Sequence, residues 1–198
     1  MKIKIKKKKF SLKEQYILSW KYLKECKNFI YFAIGLFFIF SLIGFFVPAS
    51  SYIEETIKDF IEKLIEKTEG MNSFELILFI FFNNLQVSFF GMILGVFLGI
   101  FPLIYIIGNG YILGFVSMLV AEQGGAEVLL KLLPHGIFEL PAIFISLALG
   151  LKFGTFIFQK KKAESFKEYL FESIRIFLFV VIPLLIIAAI IEGSLMFA

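Results

Sequence analysis

Between Leu76 and Ala121 the chain carries 46 consecutive residues without Asp, Glu, Lys, Arg or His. Nothing in a soluble fold requires such a run, since surface helices there carry charged and polar residues on their outer face. At about 1.5 Å per residue it would make a helix of about 69 Å, roughly twice the hydrocarbon thickness of a bilayer. The run must therefore cross a membrane twice, or cross once and re-enter. Two breakers are available, Gly99-Ile-Phe-Pro102 near the middle and Gly108-Asn109-Gly110. We place the turn at the first, which predicts that Gly108-Asn109-Gly110 interrupts the next helix inside the membrane. A turn at Asn109 would leave only a short segment at 111–121.

Phe29 to Tyr52 and Ile176 to Ile191 are further uncharged runs, and Leu132 to Leu151 is an apolar run carrying only His135 and Glu139. The chain is 59% hydrophobic and 18% aromatic, above the roughly 45–50% apolar content of soluble domains. These patterns predict an all-α fold, a polytopic transmembrane helix bundle in one domain over residues 1–198. It has about five membrane crossings, a broken or re-entrant segment and amphipathic interfacial helices.

Charge sets the expected orientation. Six of the first nine residues are Lys, and no aromatic platform accompanies them, so a lipid or topology role is expected rather than nucleic-acid binding. No small-residue cleavage pattern follows the first apolar run, which reads as a retained helix rather than a signal peptide. Residues 1–28 form a basic amphipathic segment expected in the cytoplasm. Residues 49–73 carry an amphipathic helix with net charge −3 between Tyr52 and Gly70, expected outside. The linker at 152–173 is basic and expected inside. Parity then gives five crossings of the cell membrane, with the N-terminus in and the C-terminus out. Ser11-Leu-Lys-Glu14 and Ser165-Phe-Lys-Glu168 read as capping boxes that start helices. Cys26, the single cysteine, reads as a packing residue.

Small residues four apart let helix backbones approach in lipid. Gly91, Gly95 and Gly99 form such a ladder, and Gly110 with Gly114 and Gly150 with Gly154 repeat the spacing. The ladder serves either packing within the chain or a dimer face, and we expect a homodimer held partly through it. Asn83, Asn84 and Gln86 interrupt an apolar helix and must face other helices or a wet cavity. In Pro134-His135-Gly136-Ile-Phe-Glu139-Leu-Pro141, Pro134 suits a first helical turn. His135 and Glu139 then share a face, and Pro141 frees a carbonyl. These two residues, with Asn83, Asn84 and Asn109, make a candidate intramembrane polar site, in which His135 and Glu139 would bond to Asn83 or Asn84. One His and one Glu are too few for a zinc site, and no Ser–His–acid arrangement stands out. No enzyme activity, metal or cofactor is expected.

Asn83-Asn84, the glycine ladder, Asn109-Gly110-Tyr-Ile-Leu-Gly114 and above all His135-Gly136-x-x-Glu139-Leu-Pro141-Ala-Ile with Gly150 resemble the stage II sporulation protein M family. The resemblance covers about residues 25–195. It implies a multi-span scaffold, which in spore formers works with cell-wall hydrolases during engulfment; the family also occurs in organisms that make no spores. The expected function is a membrane scaffold that positions partner proteins. The alternative is a small transporter or channel whose pathway uses the polar site.

Overall fold

The structure is a computed structural model that describes residues 11–195 except 125, and the side chains of these except 123–138, 192, 193 and 195. Among the described residues it is built of helices alone: α1 (Leu12–Glu25), α2 (Lys27–Phe46), α3 (Ser51–Thr68), α4 (Ser73–Ile93), α5 (Ile100–Gly124), α6 (Ala126–Gly154), α7 (Lys162–Ile176) and α8 (Ile182–Leu195). Five of the helices are long and apolar enough to cross a membrane, with α7 and α8 forming one of them.

Local chemistry explains several boundaries. Asn72 caps α4 with a full capping box: its Oδ1 accepts from the N–H groups of Phe74 and Glu75, and Glu75 Oε2 accepts from the Asn72 N–H at 2.9 Å. The long charge-free run turns at 97–99, where Leu98 (φ 57°) and Gly99 (φ 73°) both take the left-handed conformation. Glycine adopts it freely and leucine does so at a cost of order 1 kcal/mol. Pro102 then falls in the first turn of α5, where its missing N–H costs nothing. Pro183 has no N–H to give and its ring crowds the preceding turn. The chain accommodates this with a π-turn over Phe177–Val181 between α7 and α8.

Three expectations need correction. Gly108-Asn109-Gly110 does not interrupt α5, which runs unbroken from Ile100 to Gly124; Gly110 lies against the backbone of Phe37, where a side chain would not fit. Ser11 stands at the N-cap of α1 without a side-chain cap bond, and Ser165 lies inside α7, which starts at Lys162. Pro134 does not open α6, which starts at Ala126, nor does Pro141 break it.

Residue contacts reveal helix direction. Gly110 packs on Phe37, and Gly114 on Ser41, so α2 and α5 run parallel. Ser88 meets Ser146, Gly95 meets Gly150 and Gly99 meets Gly154, so α4 and α6 are parallel too. Leu76 and Ile80 cluster with Ala189, while Phe89 stacks on Phe177, so α4 and α8 are antiparallel. With the tight turn between α4 and α5, helices α2, α5 and α8 run one way and α4 and α6 the other. This is the alternation that parity predicted. It gathers α1, the 97–99 turn and the 155–161 connection at one end, and α3 at the other.

Helix α6 is the hub. In its apolar stretch 61% of the residues are buried, against 17–33% for the other four candidate spans. Exposed Phe32, Phe38, Leu42, Phe82, Ile104 and Ile187 coat the outside. An apolar exterior of this extent belongs in lipid.

Candidate functional site

The expected polar site divides when placed on the helices. Asn84 is buried at mid-depth on the face of α4 that meets α6, and one turn further Ser146 Oγ donates to the Ser88 carbonyl at 2.6 Å. On the register of that bond, Glu139 lies about one turn from the level of Asn84. Glu139 is half-buried and has a partner. Pro134, His135 and Gly136 lie outside the residues whose side chains are described. The pairing of His135 with Glu139, Asn83 or Asn84 lies outside them as well. Asn109 does not join. It is exposed on α5 and its Nδ2 donates to the carbonyl of Tyr105, four residues back, at 2.9 Å. Asn83 and Gln86 are also exposed, contrary to the expectation that every amide in this helix faces the bundle. Asn83 Nδ2 reaches only its neighbour's Asn84 Oδ1, at 3.4 Å.

The glycines bring helices into backbone contact within the chain. A Cβ on Gly95 would strike the backbone of Gly150, one on Gly150 that of Gly91 and Met92, and one on Gly154 that of Leu98 and Gly99. Gly91 fits under Leu147. On the other side of the bundle Gly110, Gly114 and Gly44 do the same for α5 and α2. The ladder is therefore no dimer face: its surface is already occupied by α6. In lipid, shape and hydrogen bonds take over the role that hydrophobic burial plays in water.

A second polar cluster, not foreseen from sequence, sits where α1, the end of α6 and α7 meet. Lys152 is only 8% exposed. Its Nζ lies 3.7 Å from the centre of the Tyr22 ring and 5.4 Å from that of Tyr169, with Glu25 Oε2 at 3.4 Å. Cys26 is fully buried beside it. A desolvated ammonium over an aromatic face gains about 2 kcal/mol, so Tyr22 and Tyr169 replace much of the water that Lys152 gives up. Burial pushes the Cys26 thiol up to about 11, with Lys152 pulling the other way. Burial also raises the Tyr22 phenol. A thiol held protonated is a poor nucleophile. Ser19 and Ser173 complete the buried surface between α1 and α7, and among the described residues the hydroxyls of Ser19, Tyr22 and Ser173 have no hydrogen-bond partner. The arrangement can hold α1 against the bundle. Its sequence signal was available: Ser19, Tyr22 and Cys26 recur at helical spacing on α1, and Lys152 directly ends an apolar run.

Among the described residues, no three of His, Cys, Asp and Glu gather to hold a metal ion. A helical bundle with an apolar coat, five candidate spans and glycine-closed seams defines an α-helical integral membrane protein. The chain matches the stage II sporulation protein M family over residues 33–195, most of its length, and belongs to that family. It is also 32% identical to an uncharacterized protein of Methanocaldococcus jannaschii, over 83% of this chain and 79% of the relative. No solved structure matches it.

Proposed function

We propose that this chain is a non-enzymatic scaffold of the cell membrane that works as a homodimer and positions partner proteins in membrane or envelope remodelling. Its N-terminus lies in the cytoplasm in this reading, because α1, Lys152 and Lys160–Lys162 all collect at one end and lysine-rich loops stay inside. The observation that carries the reading is the closure of the helix seams by backbone contact, Gly95 on Gly150 and Gly99 on Gly154. Seams closed in this way favour one rigid arrangement, which suits a scaffold, whereas alternating access needs one group of helices to move against another.

The test is affinity purification from native membranes, run on wild type and Glu139→Gln. A scaffold retains the same co-purifying membrane or envelope proteins in both. Absence of any stoichiometric partner, together with solute flux in proteoliposomes that Glu139→Gln abolishes, would replace the scaffold by a transporter.

A further inference from the structure

Helix α4 runs from Ser73 to Ile93, so Asn83 and Gln86 stand near its middle. On a helix this long that is the depth of the bilayer centre. Both side chains are exposed, on the side of α4 turned away from the bundle, and they lie three residues apart on one face. Phe82, Phe89 and Phe90 are exposed around them. Asn83 spends one donor on Asn84 at long range. Among the described residues no group of this chain answers the Asn83 carbonyl oxygen, and none answers the Gln86 amide. Bare amides do not sit at the bilayer centre unless something there hydrogen-bonds them.

From this we infer that the outer face of α4, centred on Asn83 and Gln86, is the surface through which two copies of this chain associate. The inference rests on the homodimer reading above and gives it an interface. Symmetry selects a second copy over other occupants. Copies inserted with one orientation are related by an axis along the membrane normal, so each residue of α4 meets its own equivalent at the same depth. A side-chain amide is donor and acceptor at once, so Gln86 satisfies Gln86 of a second copy without any charged partner. The phenylalanines beside it supply the apolar contact surface. The glycine ladders, the other candidate contact surface, are filled within the chain.

The experiment is oxidative crosslinking in native membranes, in a Cys26→Ala background, with one cysteine introduced at a time. Gln86→Cys should give a band at twice the chain mass, and Ile104→Cys, on the exposed face of α5, should not. In parallel, the dissociation constant is measured in lipid nanodiscs or vesicles by single-molecule photobleaching. The double variant Asn83→Leu with Gln86→Leu should weaken the dimer about tenfold while keeping the wild-type melting temperature of the monomer. A wild type that is dimeric by photobleaching but crosslinks only at Ile104→Cys overturns this interface and leaves the dimer standing. A wild type that is monomeric in lipid overturns both. Crosslinking of Gln86→Cys to a chain of different mass assigns the face to another protein and overturns the second-copy inference.

Discussion

The α4–α6 seam and the α1–α6–α7 corner solve the same problem by opposite means. At the seam, helices meet because side chains are missing: Gly91, Gly95 and Gly99 against Leu147, Gly150 and Gly154, with the Ser146–Ser88 bond as the polar tie. At the corner, they meet through some of the largest polar side chains in the chain, with Lys152 laid between Tyr22 and Tyr169 and paired to Glu25. Ser146 and Lys152 are six residues apart on one helix, about 9 Å along its axis. The facing element accounts for the difference, since Gly150 and Gly154 of the seam flank Lys152 on α6: one side of that helix meets α4 and another meets α1 and α7. Against α4 a charged group would be costly and apolar burial drives nothing, so close backbone approach does the joining. Against α1 and α7 a lysine can bury its stem and keep its charge near water and aromatic faces.

The sharpest way to break this contrast is to crowd the seam. Gly95→Leu drives a side chain into the Gly150 backbone, which cannot yield without parting α4 from α6. The expected loss is about 3 kcal/mol or more, seen as a collapse of the melting temperature or of monodisperse yield in detergent. A variant that melts like wild type would show that the seam is looser than its backbone contacts indicate.

The corner should respond to shape and charge differently. Lys152→Ala removes the buried stem that packs beside Tyr22 and leaves a hole, for a cost of about 2 kcal/mol. The single tryptophan, Trp20, lies on α1, so its fluorescence anisotropy should fall as α1 loosens. Lys152→Met refills the volume without charge and should come close to wild type. If Met behaves like Ala, the cation holds α1; if Ala behaves like wild type, the corner holds nothing.

Ser146→Ala leaves the Ser88 carbonyl to its own helix and should cost about 0.6–1 kcal/mol, read from thermal melts. A cost as large as that of Gly95→Leu would make the seam a polar join rather than a steric one.

The smallest effect at neutral pH concerns Cys26. Its thiol is raised from an ordinary 9.0 to about 11 in the folded chain, so the unfolded chain gives up its proton first. The stability this contributes is complete below about pH 9 and is lost as pH rises toward 11. Maleimide labelling of folded protein at pH 8 should be far slower than of unfolded protein. Equal rates would mean that α1 does not shield the corner.

The architecture could be read from one dimension almost entirely. The 46-residue uncharged run had to turn, and Gly99 is where a left-handed conformation comes without strain, so the turn lies beside it. Parity of apolar runs and lysine-rich loops predicted the alternating helix directions that the contacts between α2 and α5, α4 and α6, and α4 and α8 display. The capping box was assigned to Ser11 and Ser165 when Asn72 and Glu75 form one, because the same short pattern fits any polar residue ahead of an apolar run. The candidate site was legible only in part. The structure buries Asn84, leaves Glu139 half-buried and exposes Asn83, Gln86 and Asn109, because adjacent residues on a helix point about 100° apart and only the neighbours decide which direction is inward.

What sequence alone determined about this protein is its solvent and its connectivity. Hydropathy and charge act residue by residue, so they can be summed along the chain, and the motif block around Glu139 carries the family. Tertiary structure alone decided what the glycines and lysines are for. GxxxG spacing permits a close approach without saying which helix approaches, and the backbones of Gly150, Gly154 and Phe37 supply that answer. A lysine at the end of an apolar run is ordinarily a solvated anchor. Lys152 becomes a buried tie because Tyr22, 130 residues earlier in the chain, folds its ring beneath it.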